Sequence, residues 1–221
     1  LKDILGFKNQ ELSNKVGAFT DYTDRILEWA TRKVGSALWR EMKSDACTPF
    51  TRVTSDGTYF LTRLADYLKN STHIQLHIVG HSAGSIFQAH SLARLFKIDE
   101  TLKVDSLHLM APAISYPLFN ETLAPLIESE HIASTTVYNL SGPLEKDDHV
   151  ARIYQKSLLY LVSNAFESKT AMPLLGMAAF NAPIANVTFK YSEGKEGDST
   201  AATSHGGFDS DVDTMNSVLT D

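Results

Sequence analysis

The stretch HIVGHSAGSIF, residues 77–87, decides how this chain is read. A short run rich in β-branched residues, "HIQLHIVGH" (73–81), ends in Gly80-His81-Ser82-Ala83-Gly84, and "SIFQAHSLARLF" (85–96) then places apolar residues at helical spacing. A strand, an abrupt turn and a helix are predicted in that order. The turn fits G-x-S-x-G, a pattern that holds a serine in a strained conformation with its hydroxyl raised above the carboxyl edge of a sheet. Gly80 and Gly84 are expected because a side chain at either position would collide across so tight a turn. Ser82 is therefore a candidate nucleophile. His81 fills the variable position before it, and the N–H of Ala83 is a candidate oxyanion donor where the helix dipole favours negative charge.

The same texture continues outward. "KVDSLHLMAP" (103–112), "ASTTVYNLSG" (133–142) and "ANVTFKYSEG" (185–194) read as strands; "TLAPLIES" (122–129), "HVARIYQKSLLYLVSNAFES" (149–168) and "SDVDTMNSVLT" (210–220) read as helices. Such alternation predicts an α/β fold, a parallel sheet flanked by helices on both faces. Residues 1–72 read as helical. From Asp21 to Lys43, Ile26, Leu27, Ala30, Val34, Ala37, Leu38 and Met42 recur at three- and four-residue spacing, predicting an apolar inner face that ends near Pro49. Phe60, Leu61, Leu64, Ala65 and Leu68 mark a second amphipathic helix, and Trp29 and Trp39 are expected in the core. One domain over 1–221 is expected, with 1–72 helical and 73–221 carrying the alternation.

Composition narrows the function. The 221 residues carry a formal net charge of -6 with no dense Lys/Arg cluster, which argues against nucleic acid or an anionic membrane surface as a partner. Cys47 is the single cysteine, so no internal disulfide and no thiolate metal site can form, and a reducing, cytoplasmic compartment is the expectation. No apolar stretch is long enough for a membrane span, and the start lacks the layout of a secretory signal. There is no Gly-rich phosphate loop with Lys, no H-E-x-x-H and no Cys/His metal spacing, so neither cofactor nor metal is expected.

A serine hydroxyl needs a base, and the base an orienting carboxylate; in this kind of site they follow in the order Ser, acid, His. Of eight histidines, His205 alone lies in a polar, glycine-rich loop, "TSHGGFD", between the last strand and the last helix. It is the candidate base. The carboxylate should follow the third strand, in "SGPLEKDDHV", where Asp147 and Asp148 both qualify. Asp147 is favoured slightly for its place three residues before Val150, and one of the pair is expected only to cap a helix. Glu145 ranks third, and Asp209 and Asp211 read as first-turn residues of the last helix.

With the elbow "GHSAG", the acid loop containing "DD" and the "SHGG" that carries the histidine, the chain resembles the α/β-hydrolase superfamily over residues 73–221. "KSLLYLVSNAFE" and "SHGGFDSD" resemble an uncharacterised bacterial group within it. The resemblance implies that Ser82 forms an acyl-enzyme, that His205 moves the proton, and that Asp147 or Asp148 holds the imidazole. One feature departs from the family. There the nucleophile follows the fifth strand of an eight-stranded sheet, and a loop after the third strand, often His-Gly, supplies the second oxyanion donor. Here no strand precedes His73. The chain is therefore expected to be the C-terminal part of a longer protein, with an α/β-hydrolase fold lacking its first strands and Ile74–Val79 left as an exposed edge prone to self-association.

The function these residues predict is hydrolysis of a carboxylic ester or related acyl bond in a small-molecule substrate. An acyltransferase would use the same three residues, and a non-catalytic scaffold that kept the fold is the alternative from another class. Asp21–Lys43 and residues 171–183, with Leu174, Leu175, Met177 and Phe180, are suited to line an acyl pocket, although ordinary core packing is the preferred reading.

Overall fold

Strands β1 (His77–His81), β2 (Ser106–Met110), β3 (Thr135–Leu140) and β4 (Val187–Ser192) form one sheet in the order β1-β2-β3-β4, every neighbouring pair parallel. The computed structural model describes residues 2–71, 73–150 and 154–220, with side chains from Asp24 onward. β2 and β3 are buried at every position, as inner strands of a parallel sheet covered on both faces must be. The register aligns Gly80 with Leu109, Leu109 with Val137 and Val137 with Phe189.

The helices are α1 (Lys2–Cys47), α2 (Asp56–Lys69), α3 (Gly84–Ile98), α4 (Tyr116–Glu128), α5 (Gly142–Asp147), α6 (Leu158–Leu161) and α7 (Val212–Thr220). Successive strands step across the sheet in one direction, so right-handed crossovers bring α3 and α4, which pack on each other, to one face. Tyr138 of β3 points to the other face, where its hydroxyl meets Ser217 Oγ of α7 at 3.1 Å. Helices thus cover both faces, and the architecture is α/β. All four strands end at one edge of the sheet, and the segments that carry Ser82, α5 and His205 leave from it. That is where sites form in open parallel sheets.

β1 begins at His77, not His73. Residues 73–76 run as a loop that starts with a left-handed turn at His73 (φ 72°) and joins the sheet only through Leu76, whose N–H donates to Asp105 Oδ2 at 2.7 Å. β1 is an edge strand; no strand pairs with its outer side among the described residues, and Gln88 Nε2 donates to the Val79 carbonyl at 3.2 Å. No helix among the described residues is long and apolar enough to cross a membrane.

Two helical expectations are corrected. The first concerns α1, which docks through its polar stripe. Gln155 N–H donates to Asp24 Oδ1 at 2.9 Å, Tyr154 Oη and Asn164 Nδ2 donate to Glu28 Oε1 at 2.6 and 2.8 Å, and Arg32 bonds to Thr170 Oγ1. Most of the stripe predicted to face inward points out: Ile26, Val34 and Leu38 are exposed, and so is Trp29 at 81 %, whereas Leu27 packs half-buried against Tyr154, Leu161 and Ala165 and Trp39 is 5 % exposed. Phe60 of α2 is exposed as well, while Leu61 and Ala65 are buried.

The second concerns residues 149–168, which do not form one helix. Val150 and Tyr154 exchange backbone hydrogen bonds of 3.0 and 3.1 Å, and Ser157 N–H is taken by the Glu145 carbonyl at 2.7 Å. Backbone groups bonded in this way cannot serve a helical ladder. Ala151, Arg152 and Ile153 lie outside the described residues. The helical part is α6 followed by a π turn, Val162–Phe166, closed by Glu167 N–H to the Val162 carbonyl at 2.9 Å.

Candidate active site

Ser82 follows β1 directly and takes φ 52°. A left-handed non-glycine residue costs about 1–3 kcal/mol and persists only where its surroundings over-determine it. Here the Ser82 N–H donates to the Met110 carbonyl at 2.9 Å, and the Ser82 carbonyl accepts from Ser85 N–H and Ala113 N–H at 3.1 Å each and from Ser85 Oγ at 2.7 Å. Ser85 Oγ also accepts Ile114 N–H at 3.0 Å. One buried hydroxyl therefore ties the elbow to the segment after β2. Ser85 was not legible as a site residue; its only signal is a hydroxyl three residues after Ser82, the spacing of a local back-bond. The Ala83 N–H, at the entry to α3, has no hydrogen-bond partner among the described residues and is available to an incoming oxyanion.

The two glycines are not equivalent. A Cβ on Gly80 would stand 3.2 Å from Gln88 Cγ and from the backbone C and O of Gly84, whereas a Cβ on Gly84 would meet nothing within 4 Å. A side chain would therefore crowd the turn at Gly80 but, contrary to expectation, not at Gly84. Gly80→Ala is expected to destabilise the protein by about 1–3 kcal/mol through overpacking against backbone. Gly84→Ala, in the first turn of a helix, is expected to be neutral or stabilising by up to about 1 kcal/mol. Urea midpoints of the two variants check this; equal losses would contradict it.

His205 sits in a short 3-10 turn, His205–Gly207, 7 % exposed. Its Nε2 lies 2.8 Å from Ser82 Oγ. For Nε2 to accept the serine proton, the ring proton must be on Nδ1. The His205 N–H donates to Asp148 Oδ2 at 2.8 Å, and the His205 carbonyl accepts from His81 Nε2 at 2.8 Å. Both backbone groups of the histidine are thus held, one from the α5 end and one from β1. The rings of His81 and His205 lie 5.6 Å apart, and His81 Nδ1 stands 3.8 Å from Asp209 Oδ2.

Burial, and then the neighbouring His81, pull the His205 pKa down to about 4. The imidazole is therefore neutral, and able to accept a proton, across the neutral range. Reactivity of Ser82 is expected to fall with acid along a limb near pH 4, read from kcat/KM or from the rate of covalent labelling. Stability follows the same group. Its ordinary value is 6.5, so the unfolded chain binds more protons between about pH 4 and 6.5. The resulting penalty is absent above 6.5 and grows as the pH falls through that window, and urea midpoints at pH 7 and pH 5 measure it.

The structure separates the acidic candidates. Contrary to the expectation, neither aspartate holds the imidazole: Asp148 accepts from the His205 backbone N–H and not from the ring, and Asp147, favoured slightly on spacing, is the exposed last residue of α5 with no hydrogen bond to the histidine among the described residues. Glu145 is buried and its Oε2 accepts the Ala178 N–H at 3.2 Å, and burial pushes its carboxyl up to about 8, so it is protonated at neutral pH. Asp211 caps α7, accepting Thr214 N–H at 2.8 Å. Asp209 is not a helix residue; it lies in the turn after His205 and faces His81. Leu174, Leu175 and Met177 are buried in the core. No group of three or more His, Cys, Asp or Glu among the described residues could hold a metal ion.

No family model, no curated protein and no solved structure matches the chain. What the fold and site define on their own is an α/β protein with a strained serine at the carboxyl edge of its parallel sheet, hydrogen-bonded to a buried neutral histidine.

Proposed function

We propose that the chain is a serine hydrolase of the α/β-hydrolase type, acting on a carboxylic ester or related acyl bond. The observation that carries the reading is the 2.8 Å approach of His205 Nε2 to Ser82 Oγ on a left-handed elbow. Ser82 Oγ bonds to the substrate carbonyl carbon while its proton passes to His205 Nε2. The oxyanion that forms faces the Ala83 N–H and the start of α3. As the intermediate collapses, the bond to the leaving group breaks and the leaving oxygen takes the proton from His205, leaving an acyl ester on Ser82. Water then attacks with His205 again accepting a proton, the acid is released and the serine is restored. Asp148 acts on this sequence by holding the backbone of His205.

Rapid mixing with p-nitrophenyl butyrate tests the reading. A burst of up to one equivalent of p-nitrophenol is expected, with a butyryl mass added to the peptide containing Ser82 and both absent from Ser82→Ala. Turnover that persists undiminished in Ser82→Ala would overturn it.

A further inference from the structure

Ser82 and Ala83 border a cavity of about 210 Å³ whose other walls come from parts of the chain far apart in sequence: Leu38 and Trp39 of α1, and Leu159, Val162 and Phe166 of α6 and the π turn. Apart from Ser82, every lining residue is aliphatic, aromatic or glycine. The one polar group of Trp39 is bonded elsewhere, since Nε1 donates to Glu167 Oε1 at 2.8 Å. Glu167 is buried, and Lys43 Nζ, 2.9 and 2.8 Å from its two oxygens, compensates its charge. The tryptophan wall is thus fixed by bonds that contribute no polar surface to the cavity, as a preorganised site requires.

Gly35 stands where α1 crosses the π turn. A Cβ there would overlap the Phe166 ring, so the ring keeps its place only because residue 35 has no side chain. Glycine in a helix interior costs about 1 kcal/mol against alanine, and this close approach is what requires it. Leu38 and Met42 line the same cavity yet are exposed, which puts them on its rim and accounts for part of the apolar surface of α1.

Resting on the serine-hydrolase reading, the geometry points to this cavity as the acyl-binding site, taking an uncharged apolar acyl group of short to medium length, with Gly35 and Phe166 setting the length. The volume lies below the roughly 300–1,000 Å³ typical of sites that enclose a drug-sized ligand, so the cavity holds one acyl arm and not a whole lipid. Nothing in it compensates a carboxylate, so dicarboxylic half-esters are rejected.

The test is a series of p-nitrophenyl alkylphosphonates with methyl, butyl, octyl and ω-carboxybutyl chains, with the rate of adduct formation at Ser82 read by mass spectrometry. In each, Ser82 Oγ bonds to phosphorus, p-nitrophenolate leaves and the serine proton passes to His205. The butyl probe is expected to label at least about tenfold faster than the methyl probe, from the methylenes it buries, and at least about tenfold faster than the carboxybutyl probe, whose carboxylate would be buried uncompensated. Phe166→Ala should raise the octyl rate relative to butyl by about tenfold, and Gly35→Ala, by driving the ring into the cavity, should bring butyl down toward methyl. Phe166→Leu replaces Phe166→Ala if the latter does not fold, and the wild-type series needs no variant. Labelling independent of chain length, or a preference unchanged in both variants, overturns the cavity assignment and leaves the hydrolase reading intact. No adduct with any probe on folded protein overturns the hydrolase reading and this proposal with it.

Discussion

Replacing His205 by alanine is expected to lower kcat for ester hydrolysis by about 10⁴- to 10⁶-fold. The hydroxyl of Ser82 loses the only base within hydrogen-bond reach among the described residues, and its elbow geometry cannot compensate, because conformation alone does not remove the proton. What remains is the residual rate from the Ala83 N–H and from substrate held against the elbow. Ser82→Ala should cost a similar factor. Because the two residues act as one unit, the double variant should be no slower than either single one. A double variant slower by the product of the two factors would contradict the coupling that the 2.8 Å bond implies. His205 is also nearly buried, so urea midpoints belong beside the kinetics to separate lost chemistry from lost fold.

The second large effect is expected at Asp148. Its carboxylate holds the N–H of His205 in a charge-assisted bond of 2.8 Å, and that bond fixes the loop from which the imidazole hangs. Asp148→Ala is expected to lower kcat by up to about 10²-fold, through misplacement of the imidazole, with little change in KM. Asp148→Asn keeps an oxygen that can accept the N–H and should recover part of that loss. Recovery distinguishes positioning through the backbone from a role for the charge alone, under which Asn would be no better than Ala. At the neighbouring position, Asp147→Ala should change kcat by no more than about twofold, as is usual for exposed substitutions. A larger effect at Asp147 than at Asp148 would reverse the assignment.

The elbow and the histidine were legible because their signals are local or follow from chain order. G-x-S-x-G sits between a β-branched run and an apolar-faced helix, and His205 is the one histidine after the last strand in a glycine-rich loop. The inner strands were legible for the same reason, each being a short apolar run bounded by turn residues. Asp147 and Asp148 were not separable, because the end of a six-residue helix decides which of two adjacent side chains turns toward the histidine.

Sequence periodicity does not give the inward face of α1, for a different reason. Periodicity assumes that the surface a helix meets is apolar. The segment that α1 meets offers the Gln155 N–H, the Tyr154 hydroxyl and the Asn164 amide, so Asp24 and Glu28 face inward and Val34 outward. The same capture of the Gln155 and Ser157 N–H groups breaks the helix expected over 149–168 and leaves room for the π turn whose Val162 and Phe166 reach the cavity beside Ser82. None of these partners lies near its acceptor in sequence. Single-segment patterns therefore could not reveal them.

The most direct test of the account is labelling with a fluorophosphonate probe followed by peptide mass spectrometry, on the wild-type chain and on the Ser82→Ala and His205→Ala variants, at pH 7 and again below pH 4. One adduct is expected, on the peptide containing Ser82, absent from Ser82→Ala, slowed by orders of magnitude in His205→Ala and slowed in the wild type below pH 4. A folded wild-type chain that takes no adduct, or takes it equally well without His205, would contradict the claim that His205 activates Ser82.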